Sequence, residues 1–221
     1  MNAKSQVLEV TVEGCQIDDA VSSVFHTLLL HRTVGKFHYK AEGTYSIGTV
    51  GTEDVDCEFI DLTYVRVNSP RLHQIIQDEI CSFKNSLHHK SGQRNGQISL
   101  EFYQKHRRNW PLREQDAPWE IWTLKLDIIS LANESELQRL RETVGEALSD
   151  VILNLCGALN RHDYVPKMPV QSELASVFDT RFPDIQPYLF RINSKSMAPS
   201  STSVATTVHT MKRLIKDSLA I

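Results

Sequence analysis

The chain has 221 residues, 41% hydrophobic and 23% charged, with a formal net charge of −3. These values exclude wholesale disorder and leave ample length for a sizeable core. So small a net charge also excludes a global electrostatic pull toward nucleic acid or an anionic membrane.

Residues 7–12 alternate as a strand. The N-terminal stretch lacks the apolar run of a signal peptide, and no segment approaches the roughly 20 apolar residues that span a bilayer. From residue 17 to 31 the spacing becomes helical. Ile17, Val21, Val24 and Leu28 form an apolar stripe, and Asp18 and Asp19 sit in the first turn, where carboxylates favour the dipole. Residues 37–67 read as strands broken at Gly43, Gly48 and Gly51. Val55, Cys57 and Phe59 alternate with Asp54, Asp56 and Glu58, predicting one wet face, with a bulge or two-sided burial at residues 60–64.

Ser69-Pro70 opens a second helix, with Leu72, Ile76, Ile80, Phe83 and Leu87 inward. Ile98, Leu100 and Phe102 alternate on one strand, and Trp122, Leu124, Leu126 and Ile128 on another. The pair predicts a hairpin joined through the polar segment 105–116. Asn133 and Glu136 have the spacing of a capping box, so Asn133 reads as a cap despite the Asn-Glu-Ser glycosylation pattern. The helix it starts, with Leu137, Leu140, Val144, Leu148, Val151 and Leu155 inward, is expected to be the central spine. Its 26 or so residues span about 39 Å. Residues 171–178 predict a short helix and 187–192 a short strand. Residues 193–203 are Ser-rich. In the tail, Val208, Met211, Ile215 and Leu219 share one helical face, with Lys212, Arg213 and Lys216 elsewhere. Cys15, Cys57, Cys81 and Cys156 form no C-x-x-C pair and read as reduced core residues.

No nucleophile elbow, H-E-x-x-H pair or kinase signature set occurs. Residues 43–51 are glycine-rich but lack the Lys-Ser/Thr that holds phosphate, so they read as hairpin turns. The nine histidines are scattered: His26 and His31 read as packing residues, His38 as strand surface, and His88-His89 diverge. Asp54, Asp56, Glu58 and Asp61 read as a solvated face. Residues 105–108 (KHRR) beside Trp110 are too short a basic run, and too close to Glu114 and Asp116, to predict nucleic-acid binding. The basic tail reads as packing on protein rather than lying on a membrane. An enzymatic site dispersed over His38, Asp56 and His162 is the weakest reading. Trp110, in so polar a loop, either folds back onto the core or serves as a handle for another protein.

Several runs are more specific: residues 28–39 (LLLHRTVGKFHY), 43–51 (GTYSIGTVG), 59–67 (FIDLTYVRV), 99–103 (SLEFY), 160–164 (NRHDY), 166–169 (PKMP), 186–189 (QPYL) and 213–219 (RLIKDSL). Together they resemble the autophagy-related protein 101 family, HORMA-domain subunits of the autophagy-initiation kinase complex. The resemblance spans almost the whole chain and is weakest over 71–96 and 193–203.

It implies an α+β fold: a single HORMA domain with a mainly antiparallel sheet and three principal helices packed on one face. The expected boundaries are 1–192 for the domain, 193–203 for a mobile linker and 204–221 for an amphipathic helix. It implies no catalytic activity, cofactor or metal. The expected partners are the HORMA domain of autophagy-related protein 13, which the family stabilises, and the ULK-type kinase with its coiled-coil scaffold subunit. Neither nucleic acid nor a transmembrane segment is expected, and the expected location is cytoplasmic, with recruitment to preautophagosomal structures. Downstream factors are recruited in this family by a projecting Trp-and-Phe finger. Trp110 and Pro111 match it, while Leu112 stands where the family has Phe. The alternative within the same fold is a peptide-entrapping adaptor of the checkpoint or chromosome-axis kind.

Overall fold

The computed structural model describes residues 3–41, 44–88, 95–106, 115–160 and 164–196. The central sheet contains β1 (Lys4–Glu13), β7 (Asn95–His106), β8 (Gln115–Ile129) and β10 (Phe190–Ser196), in the order β1-β8-β7-β10. β7 and β8 pair antiparallel, as predicted, and β10 pairs antiparallel with β7. β1 pairs parallel with β8 in unbroken register from Lys4↔Glu120 to Glu13↔Ile129. The sheet is therefore mainly antiparallel with one parallel edge. Six shorter strands make three two-stranded ladders: β2 (Thr33–Gly35) with β9 (Ile185–Pro187), β3 (Phe37–Ala41) with β4 (Thr44–Ile47), and β5 (Thr52–Asp56) with β6 (Thr63–Val67).

The period-2 pattern sets which face of the sheet is dry. Val10, Val12, Ile98, Leu100, Phe102, Trp122, Leu124 and Leu126 are all buried, whereas the intervening Gln97, Ser99, Thr123 and Lys125 are only partly buried or exposed. Three long helices join the core: α1 (Ile17–His31), α2 (Pro70–His88) and α3 (Glu134–Leu159). A fourth, α4 (Leu174–Val177), is one turn long and follows a 3-10 turn at Gln171–Glu173. α1 begins and ends where the apolar spacing predicts. α2 opens at Pro70, where the Ser69 carbonyl accepts the His73 amide at 3.0 Å.

Several expectations are corrected. α1, not α3, is the spine: it is buried from Val21 through Leu29 without a break and touches α2, α3, β1 and β6. α3 has the predicted length but lies at the surface. Leu137, Leu140 and Val151 are only partly buried, and Leu153 is 70% exposed. Length predicts span but not depth: α1 carries an apolar stripe on one side, and its polar Ser22, Ser23, His26 and Thr27 are covered as well. Asn133 caps α3 through the Ser135 amide at 3.0 Å rather than through a box with Glu136.

Residues 57–62 form the turn between β5 and β6, closed by the Cys57 amide on the Leu62 carbonyl at 2.9 Å, not a bulged strand. The alternation therefore stops at Asp56, which leaves Phe59 40% exposed and buries Ile60 instead. Cys81 is exposed rather than core. Cys57 is buried, and Cys15 and Cys156 are intermediate. The short strand expected at 187–192 is replaced by β9 at Ile185–Pro187 and β10 at Phe190–Ser196.

Candidate partner-binding surface

Trp110, Pro111 and Leu112 lie outside the described residues. What the structure places is the base from which their segment leaves. The last β7–β8 pairs are Lys105↔Asp116 and His106↔Gln115, and the register shifts at Phe102/Tyr103. Beneath this end, Trp119 is buried against Phe102 (ring centroids 5.7 Å), Tyr164 (6.2 Å) and edge-on Tyr188 (5.3 Å). On the outer face, Arg191 of β10 binds Glu101 of β7 and reaches Asp116 of β8 at 3.3 Å, with its guanidinium over the Tyr103 ring. Three strands are thus tied together at the root of the hairpin connection. Beside it is an open cleft of about 680 Å³, lined by Lys105, His106, Lys167, Met168, Val170 and neighbours. Met168 and Val170 are about half exposed there.

A buried polar node holds the same end from below. Arg32, one residue past α1, donates from Nε and Nη2 to the two carboxylate oxygens of Glu120 at 2.7 and 3.1 Å. The Tyr164 hydroxyl donates to Glu120 at 2.7 Å, and Arg32 Nη1 reaches the last α3 carbonyl, Leu159, at 3.3 Å. Burial, then the Glu120 carboxylate, pushes the Tyr164 phenol up to about 12, so it remains a donor. The Arg32 carbonyl accepts the Tyr188 amide at 2.9 Å. A planar guanidinium suits this site because it satisfies a carboxylate bidentately while reaching other acceptors.

A second polar cluster lies where α1, α2 and β6 meet. His26 is buried, stacked on Tyr64 and tilted against His73, whose Nδ1 accepts from Arg66 at 2.7 Å. His26 Nε2 lies 3.4 Å from that same nitrogen, and its Nδ1 has no hydrogen-bond partner among the described residues. Burial, then the neighbouring His73 and Arg66, lowers His26 to about 3, so it is neutral at physiological pH.

Other sequence candidates are not brought together. His38 is exposed on β3, and Asp56 lies on a different ladder, accepting from Thr63 at 2.6 Å. His162 is outside the described residues, as are Arg107, Arg108 and His89. Asp61 pairs with Arg141 at 2.5 Å. Among the described residues no three His, Cys, Asp or Glu side chains group as metal ligands, and no helix is long and apolar enough to cross a membrane. Sequence reasoning missed the Arg32–Glu120 node. Its signal was available: Glu120 shares the inward register with Trp122 and Leu124, where an unpartnered charge is costly.

The fold is a mixed sheet with helices, and its central hairpin is cross-tied at the root by Arg191, Glu101 and Asp116. The family model for autophagy-related protein 101 matches residues 9–172. The chain is 53% identical to autophagy-related protein 101 of Xenopus tropicalis and of Homo sapiens, over the full length of each. It is 25% identical to that of Arabidopsis thaliana over 126 residues, 56% of this chain and 52% of the plant protein. The chain belongs to the autophagy-related protein 101 family, and its role lies in autophagy.

Proposed function

We propose that this protein is a non-catalytic adaptor of the autophagy-initiation complex, built as a HORMA domain. It pairs with the HORMA domain of autophagy-related protein 13 and stabilises it, alongside the ULK-type kinase and its coiled-coil scaffold subunit. Trp110, Pro111 and Leu112 form the finger that recruits downstream factors, and the protein moves from the cytoplasm to preautophagosomal structures. The observation that supports this most is 53% identity with vertebrate relatives over the full length of each chain. The braced root at Arg191, Glu101 and Asp116 supports it physically, because a fixed base lowers the freedom lost when a loop tip binds. Tryptophan is also the side chain most enriched among residues that dominate interface energy.

Co-expression with the partner HORMA domain, followed by size measurement, should yield a one-to-one complex. Trp110→Ala should leave that complex and the thermal midpoint intact while abolishing recruitment to forming autophagosomes. A variant that unfolds, or that loses pairing, places the indole in the core or the dimer contact and rejects the finger.

A further inference from the structure

The turn at residues 57–62 is held more firmly than a surface turn requires. The Phe59 amide donates to Asp19 Oδ2 at 2.6 Å, and the Phe59 carbonyl accepts from Gln16 Nε2 at 3.0 Å. Arg141 binds Asp61, and Gly145 of α3 abuts the Asp61 carbonyl so closely that a Cβ there would overlap it. Between the buried Cys57 and Ile60, this scaffold presents the Phe59 ring to solvent. Carboxylates surround it. Burial raises the Asp19 carboxyl, and Asp18 and Glu58 act on it in the same direction. Asp19 and Asp56 likewise add to the burial that pushes the Cys57 thiol up to about 12. Lys84 answers Asp18 and Arg141 answers Asp61, while Glu58 has no cation partner among the described residues. An aromatic prong in a negative field repels phosphate-bearing surfaces and suits a segment that is both apolar and basic.

This chain carries such a segment. Residues 206–219 place Val208, Met211, Ile215 and Leu219 at helical spacing, with Lys212, Arg213 and Lys216 off that stripe. The described chain also ends on the correct side. Ser196 pairs with Gly96, which abuts Phe83 and Leu87 of α2. The adjacent Lys84 binds Asp18 in the first turn of α1, next to the Asp19 that holds Phe59. Residues 197–205, at about 3.3 Å each, reach up to about 30 Å.

We propose that residues 206–219 dock on the Phe59 end of the same molecule, the apolar stripe over the ring and the basic side chains against Asp56, Glu58 and Asp19. The docking is intramolecular, so a short linker gives it a high effective concentration despite a small contact.

Backbone hydrogen exchange on the full-length chain tests it. Amides 206–219 should exchange at least about tenfold slower than in an unstructured peptide, and this protection should fall in high salt. Glu58→Lys and Phe59→Ala should each remove it with the rest of the exchange map unchanged. Lys212→Glu with Lys216→Glu should also remove it, and adding Asp56→Lys with Glu58→Lys should restore it. Should Phe59→Ala unfold the chain, the exposed Glu58 and the charge swap still decide. An unprotected tail in the unaltered chain overturns the proposal. So does protection that survives charge reversal, or that grows with protein concentration as a second copy would require.

Discussion

Arg32 and Glu120 are 88 residues apart in sequence, yet they meet as a bidentate ion pair with both side chains 1% exposed. The pair ties the end of α1 to the middle of β8, and through Leu159 and Tyr164 to the end of α3. Removing one partner strands the other charge in the core. Arg32→Met should therefore cost about 3–5 kcal/mol in urea denaturation. Arg32→Met combined with Glu120→Leu should recover most of that loss, because two apolar groups leave no orphan. Equal losses in the single and double variants would show that packing, not charge, dominates the site.

His26 makes stability depend on acid. Its folded value of about 3 lies below the ordinary 6.5, so below pH 6.5 the unfolded chain takes up a proton that the folded chain refuses. Stability is unaffected above that point and falls as pH drops toward 3. At pH 4.5 the loss should be about 2–3 kcal/mol, on the basis of about 1.4 kcal/mol per pH unit. His73, lowered first by its own burial, acts in the same direction. The difference in urea stability between the unaltered chain and His26→Phe should narrow or invert between pH 7.5 and 4.5. A constant difference would mean that His26 is not the group responsible.

The two α3 glycines should respond oppositely to alanine. A Cβ at Gly145 would overlap the Asp61 backbone, so Gly145→Ala should destabilise by about 1–3 kcal/mol and loosen residues 57–62. Among the described residues, nothing outside the helix's own backbone and the two chain neighbours lies within 4 Å of such a Cβ at Gly157. Gly157→Ala should stabilise by up to about 1 kcal/mol through helix propensity alone. Thermal melts of the two variants would test both, and a stabilising Gly145→Ala would contradict the docking of the turn on α3.

Leu112 offers a gain-of-affinity test of the proposed finger. If the downstream receptor stacks an aromatic there, Leu112→Phe should add about 0.5–1.5 kcal/mol, roughly two- to tenfold in affinity. Recruitment assays on Leu112→Phe beside Trp110→Ala would measure this. An unchanged affinity would mean that the indole alone makes the contact.

Local patterns in this chain were legible because local physics wrote them. The 3.6-residue spacing of Ile17, Val21, Val24 and Leu28 defines α1, and the period-2 runs around Leu100 and Leu124 define the central hairpin. Depth was not legible. Ser22, Ser23, His26 and Thr27 lie between the apolar residues of α1, and only tertiary packing shows that they too are buried. The parallel pairing of β1 was equally hidden, since a strand's own alternation says nothing of its partner's direction. Phe59 looked inward because alternation was carried past Asp56, where the chain turns. Glu120, in contrast, announced its burial through its register with Trp122 and Leu124. The finger segment was legible only through family resemblance, since composition alone left Trp110 open to both readings.

The ten-residue register of β1 on β8 also has a temporal side. Lys4 pairs with Glu120, so β1 lacks this strand partner until 116 more residues have been synthesised. At 5–20 residues per second that is about 6–23 s. Over that interval an alternating apolar edge is unpaired, and the nascent chain depends on whatever shields it until β8 arrives.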